Sequence, residues 1–221
     1  MHVIIMCKNK CQLNLFDDAT IYHEKKVNKK TLLSYEEYQE KYNYLQALKI
    51  ARQHDKPCLI IKDTSISLLS KEEIKNHIEQ VLDIDYDLCF LTSWKDACYQ
   101  YTDYNKHLKW TKTANASQAV LYSNKMKHIM YNELKSKTVS QALKDACQNY
   151  KALVFIPNLI QFDISLASSN QDYEKLNCCI PVPTVLPPIN TTNNATWICI
   201  IVLFIVLLVL LVPYFKYNKH L

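Results

Sequence analysis

Glycine is absent from the 221 residues of the chain, although an average usage of about 7% would give about fifteen. P-loops and dinucleotide-binding loops of the G-x-G-x-x-G type need backbone without a Cβ where it approaches phosphate. The chain therefore contains neither motif. Turns and helix ends that need a positive φ are expected to use Asn or Asp instead.

Arginine is almost as scarce, because Arg52 is the only one in the chain. Arginine dominates base reading and bidentate phosphate binding, so lysine must make any anion contact. The 26 basic and 21 acidic residues give a net charge of +5, and the positive charges are scattered along the chain. This pattern argues against nucleic acid as a partner.

The nine cysteines have no regular spacing. Cys7 and Cys11 form a C-x-x-x-C pair without a second pair, which disfavours a zinc site. Three cysteines in apolar segments are expected to be reduced core residues: Cys58, Cys89 and Cys147. Three near the C-terminus leave disulfide formation or lipid attachment open: Cys178, Cys179 and Cys199.

Apolar runs alternate with helical patterns over the first 160 residues. Strands are predicted at 3–6, 58–61, 87–92, 118–122 and 152–156. Helices are predicted to begin after Ser34, Ser70 and Ser123, and a fourth carries residues 142–150. The polar and aromatic region 95–116 is interpreted as an excursion over the sheet edge. The alternation predicts an α/β fold with a mainly parallel sheet flanked by helices.

The serines that precede the first two helices belong to capping boxes, Ser34 with Glu37 and Ser70 with Glu73. In the first helix, the predicted buried stripe consists of Tyr38, Tyr42, Leu45 and Leu48. The tyrosines of the 35–44 region are interpreted as core or as a contact face for a protein partner.

The strand at 58–61 has no alternation, which is typical of a central strand that is covered on both faces. Lys62 and Asp63 follow at its C-terminal end. Ligands bind at this edge of open α/β sheets, so Asp63 is either a site residue or a cap for the next turn. The residues alone favour the cap.

The C-terminal quarter has a different composition. A proline-rich linker without charge precedes the apolar run from Trp197 to Val212. Sixteen residues rise about 24 Å as a helix, so with the next three residues in the interface this run spans a thin bilayer. We therefore predict an α/β domain at 1–176, a linker at 177–196, a transmembrane helix at 197–215 and a short basic tail at 216–221.

The side of the membrane on which the domain lies is ambiguous. Lys216 and Lys219 follow the span, so the positive-inside rule favours a cytosolic tail. However, a span so close to the C-terminus is typical of a tail-anchored protein with a cytosolic N-terminal domain, and residues 1–10 are too weakly apolar for a secretory signal. We expect the tail-anchored arrangement, with the opposite one as the alternative. Glycosylation of the three sequons would require the alternative: Asn115, Asn190 and Asn194.

Three segments of the chain together resemble a known family. The run YLQALKIARQHDKPCLIIKDTSISLLSKEEIKNHIEQVLDIDYDLCFLTSW resembles the central part of family 25 glycosyltransferases, the lipooligosaccharide and procollagen galactosyltransferase type that large DNA viruses also carry. NASQAVLYSNKM resembles the family's G-T-x-A-Y-L-I-S segment, and YKALVFIP resembles its late strand before a proline. The resemblance covers residues 34–156 and rests on the order and spacing of segments.

This resemblance implies a GT-A fold, in which a Rossmann-like sheet binds a nucleotide sugar. Carboxylates after the central strand then hold Mn²⁺ or Mg²⁺ on the diphosphate. Lys62, Asp63 and Thr64 occupy the positions of the family's acidic E-D-D motif, so Asp63 is the metal ligand at most. Candidate cleft residues are Tyr44, Trp94, Asn115 and Ser117.

Other positions also depart from the family pattern. Asn43 and Tyr44 replace its Ser-His pair, Ala116 stands at a glycine position, and Ser140 stands where an acidic residue is expected. We therefore favour a membrane-tethered binding or assembly module that has kept the fold and lost catalysis. The alternatives are an active hexosyltransferase with weak or no metal dependence, in which Lys62 faces the diphosphate and Asp63 a hydroxyl, and a structural membrane protein of a virus or organelle.

Overall fold

The computed structural model describes residues 1–8, 11, 15–27, 32–67, 69–93, 101–114 and 116–162, all within the compact unit Met1–Ile180. In these residues the strands are β1 His2–Cys7, β2 Thr20–His23, β3 Cys58–Lys62, β4 Ser65–Ile66, β5 Leu88–Phe90, β6 Tyr101–Asp103, β7 Leu108–Thr111, β8 Ala119–Tyr122, β9 Ala152–Phe155 and β10 Gln161–Phe162. The helices are α1 Tyr35–Ala51, α2 Lys71–Leu82, α3 Asn124–Glu133 and α4 Val139–Asn149.

Eight strands form one sheet in the order β2-β1-β3-β8-β5-β9-β7-β6, and β10 pairs with β4 in a separate two-stranded sheet. In the large sheet β1 is parallel to β2 and β3, and β5 is parallel to β9. The other four pairs are antiparallel. This mixed α/β architecture is consistent with a Rossmann-like fold.

The prediction of a mainly parallel sheet needs correction. Six of the eight strands share one direction, but β8 and β7 run the other way and divide these six into three groups, β2-β1-β3, β5-β9 and β6 alone. All residues of β3, β8 and β9 are buried except the last residue of β3. A strand that is covered on both faces reads as the same apolar run in either direction, so the sequence pattern does not encode the reversal.

Region 95–116 also differs from its interpretation as an excursion. Its described residues form the β6–β7 hairpin, which extends the edge of the sheet beside β9. Asn105 closes the turn, because its Oδ1 accepts hydrogen bonds from the backbone N–H groups of His107 and Leu108, both at 2.8 Å. An Asn side chain that bonds its own backbone two residues on is a typical turn former.

Helices cover both faces of the large sheet. One apolar cluster combines inward residues of α1, α3 and α4 with one face of the strands. A second cluster combines α2 with the opposite face. Within β3, Cys58 and Ile60 belong to the first cluster and Leu59 and Ile61 to the second. The prediction that β3 is an interior strand covered on both faces is therefore confirmed.

Local signals at the helix starts are confirmed. Ser34 and Ser70 form the predicted capping boxes with Glu37 and Glu73, and Ser123 caps α3 through Met126 N. The expectation that Asn or Asp takes positive φ is not met, because no described residue has a positive φ. Three helices instead end on a residue that is still in the right-handed helical region, which needs no glycine.

Cys58, Cys89 and Cys147 are free and buried, as predicted. Cys7 and Cys11 form a disulfide. Among the described residues no helix is long and apolar enough to cross a membrane. The linker, the predicted span, the basic tail and the last three cysteines lie outside the described residues, and these assignments stay predictions.

Candidate functional site

Strands β1, β2 and β3 all end at one edge of the large sheet, and a polar side chain follows each of them. Lys8 follows β1, Glu24 follows β2, and Lys62 is the last residue of β3. Because these strands are parallel, their C-terminal ends lie side by side. β8 is antiparallel to β3, so Ser117, just before β8, reaches the same edge. The carboxyl edge of such a sheet is the usual place for a ligand site.

Lys62 is paired within the protein. Its ammonium forms an ion pair with Glu40 on α1, and its Nζ lies 2.7 Å from Ser117 Oγ. The Ser117 hydroxyl donates to Glu40 Oε1 at 2.9 Å. The side chains of Lys62 and Glu40 are only 15% and 33% exposed. The three side chains therefore form a closed, largely covered triad.

Asp63 holds the turn after the neighbouring strand. Its backbone N–H donates to Met6 O at 2.8 Å, and its Oδ2 accepts from the backbone N–H of Lys8, also at 2.8 Å. The carboxylate thus ties the end of β3 to the start of the loop after β1. The hydrogen bond of the Asp63 carboxylate goes to the turn after β1 and not to the turn that follows Asp63, as the cap prediction had it. The assignment of Asp63 as a ligand residue stays a prediction. Thr64, next along, is half-buried.

The pKa values of Glu40 and Glu24 are shifted in opposite directions. Burial would raise the pKa of Glu40, but the Lys62 ammonium and the Ser117 hydroxyl hold it below the ordinary value of 4.5. Burial raises the pKa of Glu24, with further contributions from Asp63 and Glu40, while Lys62 and Lys8 partly offset the rise. Five charged groups therefore interact electrostatically at this edge, Glu24, Glu40, Asp63, Lys8 and Lys62.

Asn43, one turn after Glu40 on α1, fastens the segment that follows β2. Its Oδ1 accepts from Tyr22 Oη at 2.8 Å and from the Lys25 backbone N–H at 2.9 Å. Its Nδ2 donates to Lys25 O at 3.2 Å and to Gln39 O at 3.0 Å. Asn43 is fully buried, and all four of its hydrogen-bonding positions are used. It is therefore a structural residue that fixes the segment after β2 to α1.

Sequence reasoning missed Glu40 and misplaced the inward face of α1. The buried positions on this helix are Asn43, Tyr44, Ala47, Leu48 and Ala51, whereas Tyr38, Tyr42 and Leu45 are only half-buried. The small alanines on this face leave room for the helix to pack closely. Glu40 lies four residues before Tyr44, on the same stripe. An acid on an inward stripe is the signal that could have revealed it.

The structure does not bring all predicted cleft residues together. Ser117 joins the Lys62 triad, but Tyr44 is wholly buried and its hydroxyl lies 2.7 Å from that of Tyr122. Tyr44 therefore belongs to the core and does not line an open cleft. Burial raises the pKa of both phenols. Trp94 and Asn115 lie outside the described residues, as do the sequons at 190 and 194.

A metal site in the ordinary sense would need several acidic or imidazole ligands around one point. In the described part of the chain no group of three or more His, Cys, Asp or Glu side chains is arranged in this way. The Asp63 carboxylate accepts from the Lys8 backbone, and the Glu40 carboxylate is paired with the Lys62 ammonium. The residues present do not fit a tightly held divalent cation.

Comparison with known proteins gives no family. No protein-family model and no curated protein matches the chain. Among solved structures, apo UDP-glucose pyrophosphorylase is 9% identical with a TM-score of 0.42 and covers 64% of this chain. The same enzyme complexed with UDP-glucose is 9% identical over 63% of this chain, with a TM-score of 0.42. The protein A197 from STIV is 7% identical over 70% of this chain, with a TM-score of 0.39.

The aligned part of this chain spans 57% and 58% of the two pyrophosphorylase chains and 81% of the A197 chain. Similarity at this level does not identify a function.

Proposed function

We propose that this chain is a membrane-anchored, glycosyltransferase-like protein that does not carry out metal-dependent sugar transfer and acts as a binding or assembly module. One observation carries the proposal. Lys62, at the first position of the turn that resembles E-D-D, forms an ion pair with Glu40 and a hydrogen bond with Ser117. The positive charge of Lys62 is therefore balanced by a carboxylate of the protein itself. This happens at the position where the resemblance implies a metal-bound diphosphate.

The electrostatics of the turn support this proposal. A divalent cation next to Asp63 would face the Lys62 ammonium, and like charges at short range disfavour each other. The Asp63 carboxylate already accepts a hydrogen bond from the Lys8 backbone. Binding a metal there would require both the ion pair and this turn to rearrange. The loss of two acids thus removes ligands and also adds a repulsive charge.

The second candidate is a hexosyltransferase that needs no metal, and Lys8 is the observation that favours it. Its exposed side chain lies near enough to lower the pKa values of Glu24 and Glu40. A free lysine ammonium at the C-terminal edge of a sheet can balance the charge of a diphosphate leaving group. In this candidate Lys8 balances the charge of the diphosphate, because Lys62 is already paired with Glu40.

The full-length chain in detergent micelles provides the test. Release of UDP from UDP-glucose and UDP-galactose is measured with and without Mn²⁺, next to calorimetric titration of the same compounds. We expect the wild type to release no more UDP than a Lys62→Ala, Lys8→Ala double variant. We also expect Mn²⁺ to have no effect on the binding of either UDP-sugar. Mn²⁺-dependent turnover by the wild type would overturn the proposal. Metal-independent turnover that is lost in Lys8→Ala would establish the second candidate.

The membrane anchor and its orientation are also proposals, which the apolar run at 197–212 supports. The tail-anchored arrangement keeps the domain in the cytosol. The Cys7–Cys11 disulfide favours the opposite arrangement, because stable disulfides persist in oxidising compartments and are rare in the cytosol. Under the opposite arrangement the sequon at Asn115 becomes available to the glycosylation machinery.

A further inference from the structure

Helices α1 and α3 lie side by side on one face of the large sheet. Near one end of this helix pair, Lys41 Nζ donates to Lys135 O at 3.2 Å. Near the other end, Arg52 Nε donates to His128 Nδ1 at 3.1 Å. Residues late in α1 therefore meet residues early in α3, and the two helices are antiparallel. Their contact brings together two segments that are far apart in the sequence.

The two segments that meet in this way are strongly basic. Residues 41–56 and 124–137 together contain eight lysine or arginine residues and two acidic ones, which gives a net charge of +6. The whole chain carries only +5. On the opposite face of the sheet, residues 71–83, which comprise α2 and its C-cap, contain two lysines and four acids. The fold therefore concentrates on one face charges that are scattered along the sequence.

Four basic residues of these segments are exposed to solvent, and we call them the basic face: Lys49, Arg52, Lys125 and Lys135. The ion pairs among the residues that the structure describes are all made by other lysines. No described carboxylate is therefore paired with a member of the basic face. Its positive charge is available to a partner outside the domain.

Tyr131, on α3, holds two of these cations close together. The guanidinium carbon of Arg52 lies 4.2 Å from the centroid of the Tyr131 ring, and Lys135 Nζ lies 5.0 Å from the same centroid. Lys135 Nζ also donates to Asn132 Oδ1 at 2.9 Å. An aromatic ring and an amide fix the positions of the cations without cancelling their charge. Two like charges are thus held side by side, and a nearby anion would relieve their repulsion.

Two kinds of macromolecule present many negative charges to such a face, nucleic acids and anionic bilayers. Arginine is the preferred residue for nucleic-acid recognition, and the only arginine of the chain is already stacked on Tyr131 and bonded to His128. Anionic lipid headgroups attract clustered lysines without a fixed geometry. The apolar run at 197–212 also implies a bilayer near the domain under the proposed function. These observations favour the bilayer.

We propose that the basic face docks the domain on the anionic lipid headgroups of the bilayer in which the chain is anchored. This inference rests on the proposed membrane anchor and adds a second contact with the same membrane. A tether keeps the domain at a high effective concentration near the bilayer, so a weak attraction is enough for docking. The cytosolic leaflet is the one that carries anionic lipids, so this docking fits the tail-anchored arrangement.

Acetylation footprinting of the full-length chain in lipid nanodiscs tests the proposal. Discs of phosphatidylcholine are compared with discs that also contain phosphatidylserine, and mass spectrometry measures the rate at which each lysine is acetylated. Acetylation of Lys49, Lys125 and Lys135 should slow by about threefold or more in the anionic discs. Concentrated salt should abolish this protection, because it screens exposed charges. Lys106, which is exposed in the turn of the β6–β7 hairpin, should react equally in both kinds of disc.

Two double variants separate the basic face from the net charge of the chain. With Lys49→Gln and Lys125→Gln, the protection of Lys135 should be lost, because each lysine close to an anionic surface strengthens binding about fivefold. The matched control carries Lys75→Gln on α2 and Lys106→Gln in the hairpin. It loses the same two charges and should protect Lys135 as the wild type does. The thermal midpoint of each variant shows whether its fold is kept.

The proposal is overturned if phosphatidylserine gives the three lysines no protection, or if both double variants behave alike. It is also overturned if a DNA oligonucleotide protects these lysines and phosphatidylserine does not. Failure of the anchor is seen separately, because a chain without a membrane span elutes apart from the discs in size-exclusion chromatography. In that case the same footprint, with the free chain and vesicles of both lipid compositions, decides whether the basic face binds anionic lipid.

Discussion

Replacing Lys62 with methionine is expected to destabilise the domain by about 2 kcal/mol. Breaking a fully buried ion pair costs about 3–5 kcal/mol, whereas an exposed pair contributes about 0–1 kcal/mol. Glu40 and Lys62 are 33% and 15% exposed, so the pair lies between these limits. Methionine keeps most of the apolar stem, and Ser117 still donates to Glu40. The cost therefore comes mainly from a covered carboxylate without its counter-charge.

Urea denaturation followed by circular dichroism measures this difference. For a domain of this size, about 2 kcal/mol corresponds to a fall of about 4–8 °C in the thermal midpoint. The matched control is Lys109→Met. The ammonium of Lys109 also pairs with a carboxylate, that of Asp103, at 2.6 Å, but Asp103 is 81% exposed. Water can replace this partner, so the control should unfold like the wild type.

The cost of Lys62→Met should depend on pH. In the wild type the pKa of folded Glu40 is below 4.5, so its contribution is complete above that pH and is lost as the pH falls through the folded value. Without Lys62, burial raises the pKa of Glu40, and the folded variant takes up a proton above pH 4.5. The stability difference between the two proteins should therefore be greatest at neutral pH and shrink as the solution is acidified.

A double-mutant cycle with Glu40→Gln isolates the pair. Independent sites add within about 0.3–0.5 kcal/mol, whereas a real pair should show a coupling larger than this, with the double variant less destabilised than the sum of the single ones. Additive effects at neutral pH, or a cost of Lys62→Met that stays constant from pH 8 to pH 4, would refute the reasoning.

Two further predictions concern the surroundings of the site. Asn43→Leu should cost about 2–4 kcal/mol, because it removes four hydrogen bonds of a fully buried side chain and takes the acceptor away from the Lys25 backbone N–H. Hydrogen exchange at Lys25 should accelerate far more than in helix α4, and equal protection in both proteins would contradict this. If the domain lies in an oxidising compartment, Cys7 and Cys11 should resist alkylation in intact cells until a reductant is added, and endoglycosidase should shift the mobility of the chain. Ready alkylation and no shift would favour the cytosolic arrangement.

Local features of the fold could be predicted from the sequence because their signals are contiguous. Ser34 and Ser70 each precede a glutamate by three residues, a spacing at which the two side chains each accept a hydrogen bond from a free backbone N–H at the helix start. The run at 58–61 is apolar without alternation, and it is the interior strand that this pattern indicates. The position of Asp63 at the end of that strand follows from the same run.

The features that could not be predicted depend on contacts between distant segments. Glu40 and Lys62 are 22 residues apart and Ser117 is 55 residues beyond Lys62, so nothing in the sequence near one of them indicates the others. The insertion of β8 between β3 and β5 is of the same kind. The direction of β8 brings Ser117, which precedes the strand, next to Lys62. The apolar run of β8 is compatible with either strand direction, so the sequence does not indicate this contact.

The charge at position 62 bears on the proposal that this chain does not carry out metal-dependent sugar transfer. When all are ionised, the two lysines and three carboxylates of the cluster, Lys8, Lys62, Glu24, Glu40 and Asp63, carry a net charge of −1. With an acid at position 62 the same cluster would carry −3, and a bound divalent cation would return it to −1. One substitution therefore changes the local charge by as much as Mn²⁺ would supply. Lysine at this position pairs directly with the Glu40 carboxylate, so under this proposal the cluster needs no bound cation to balance its acids.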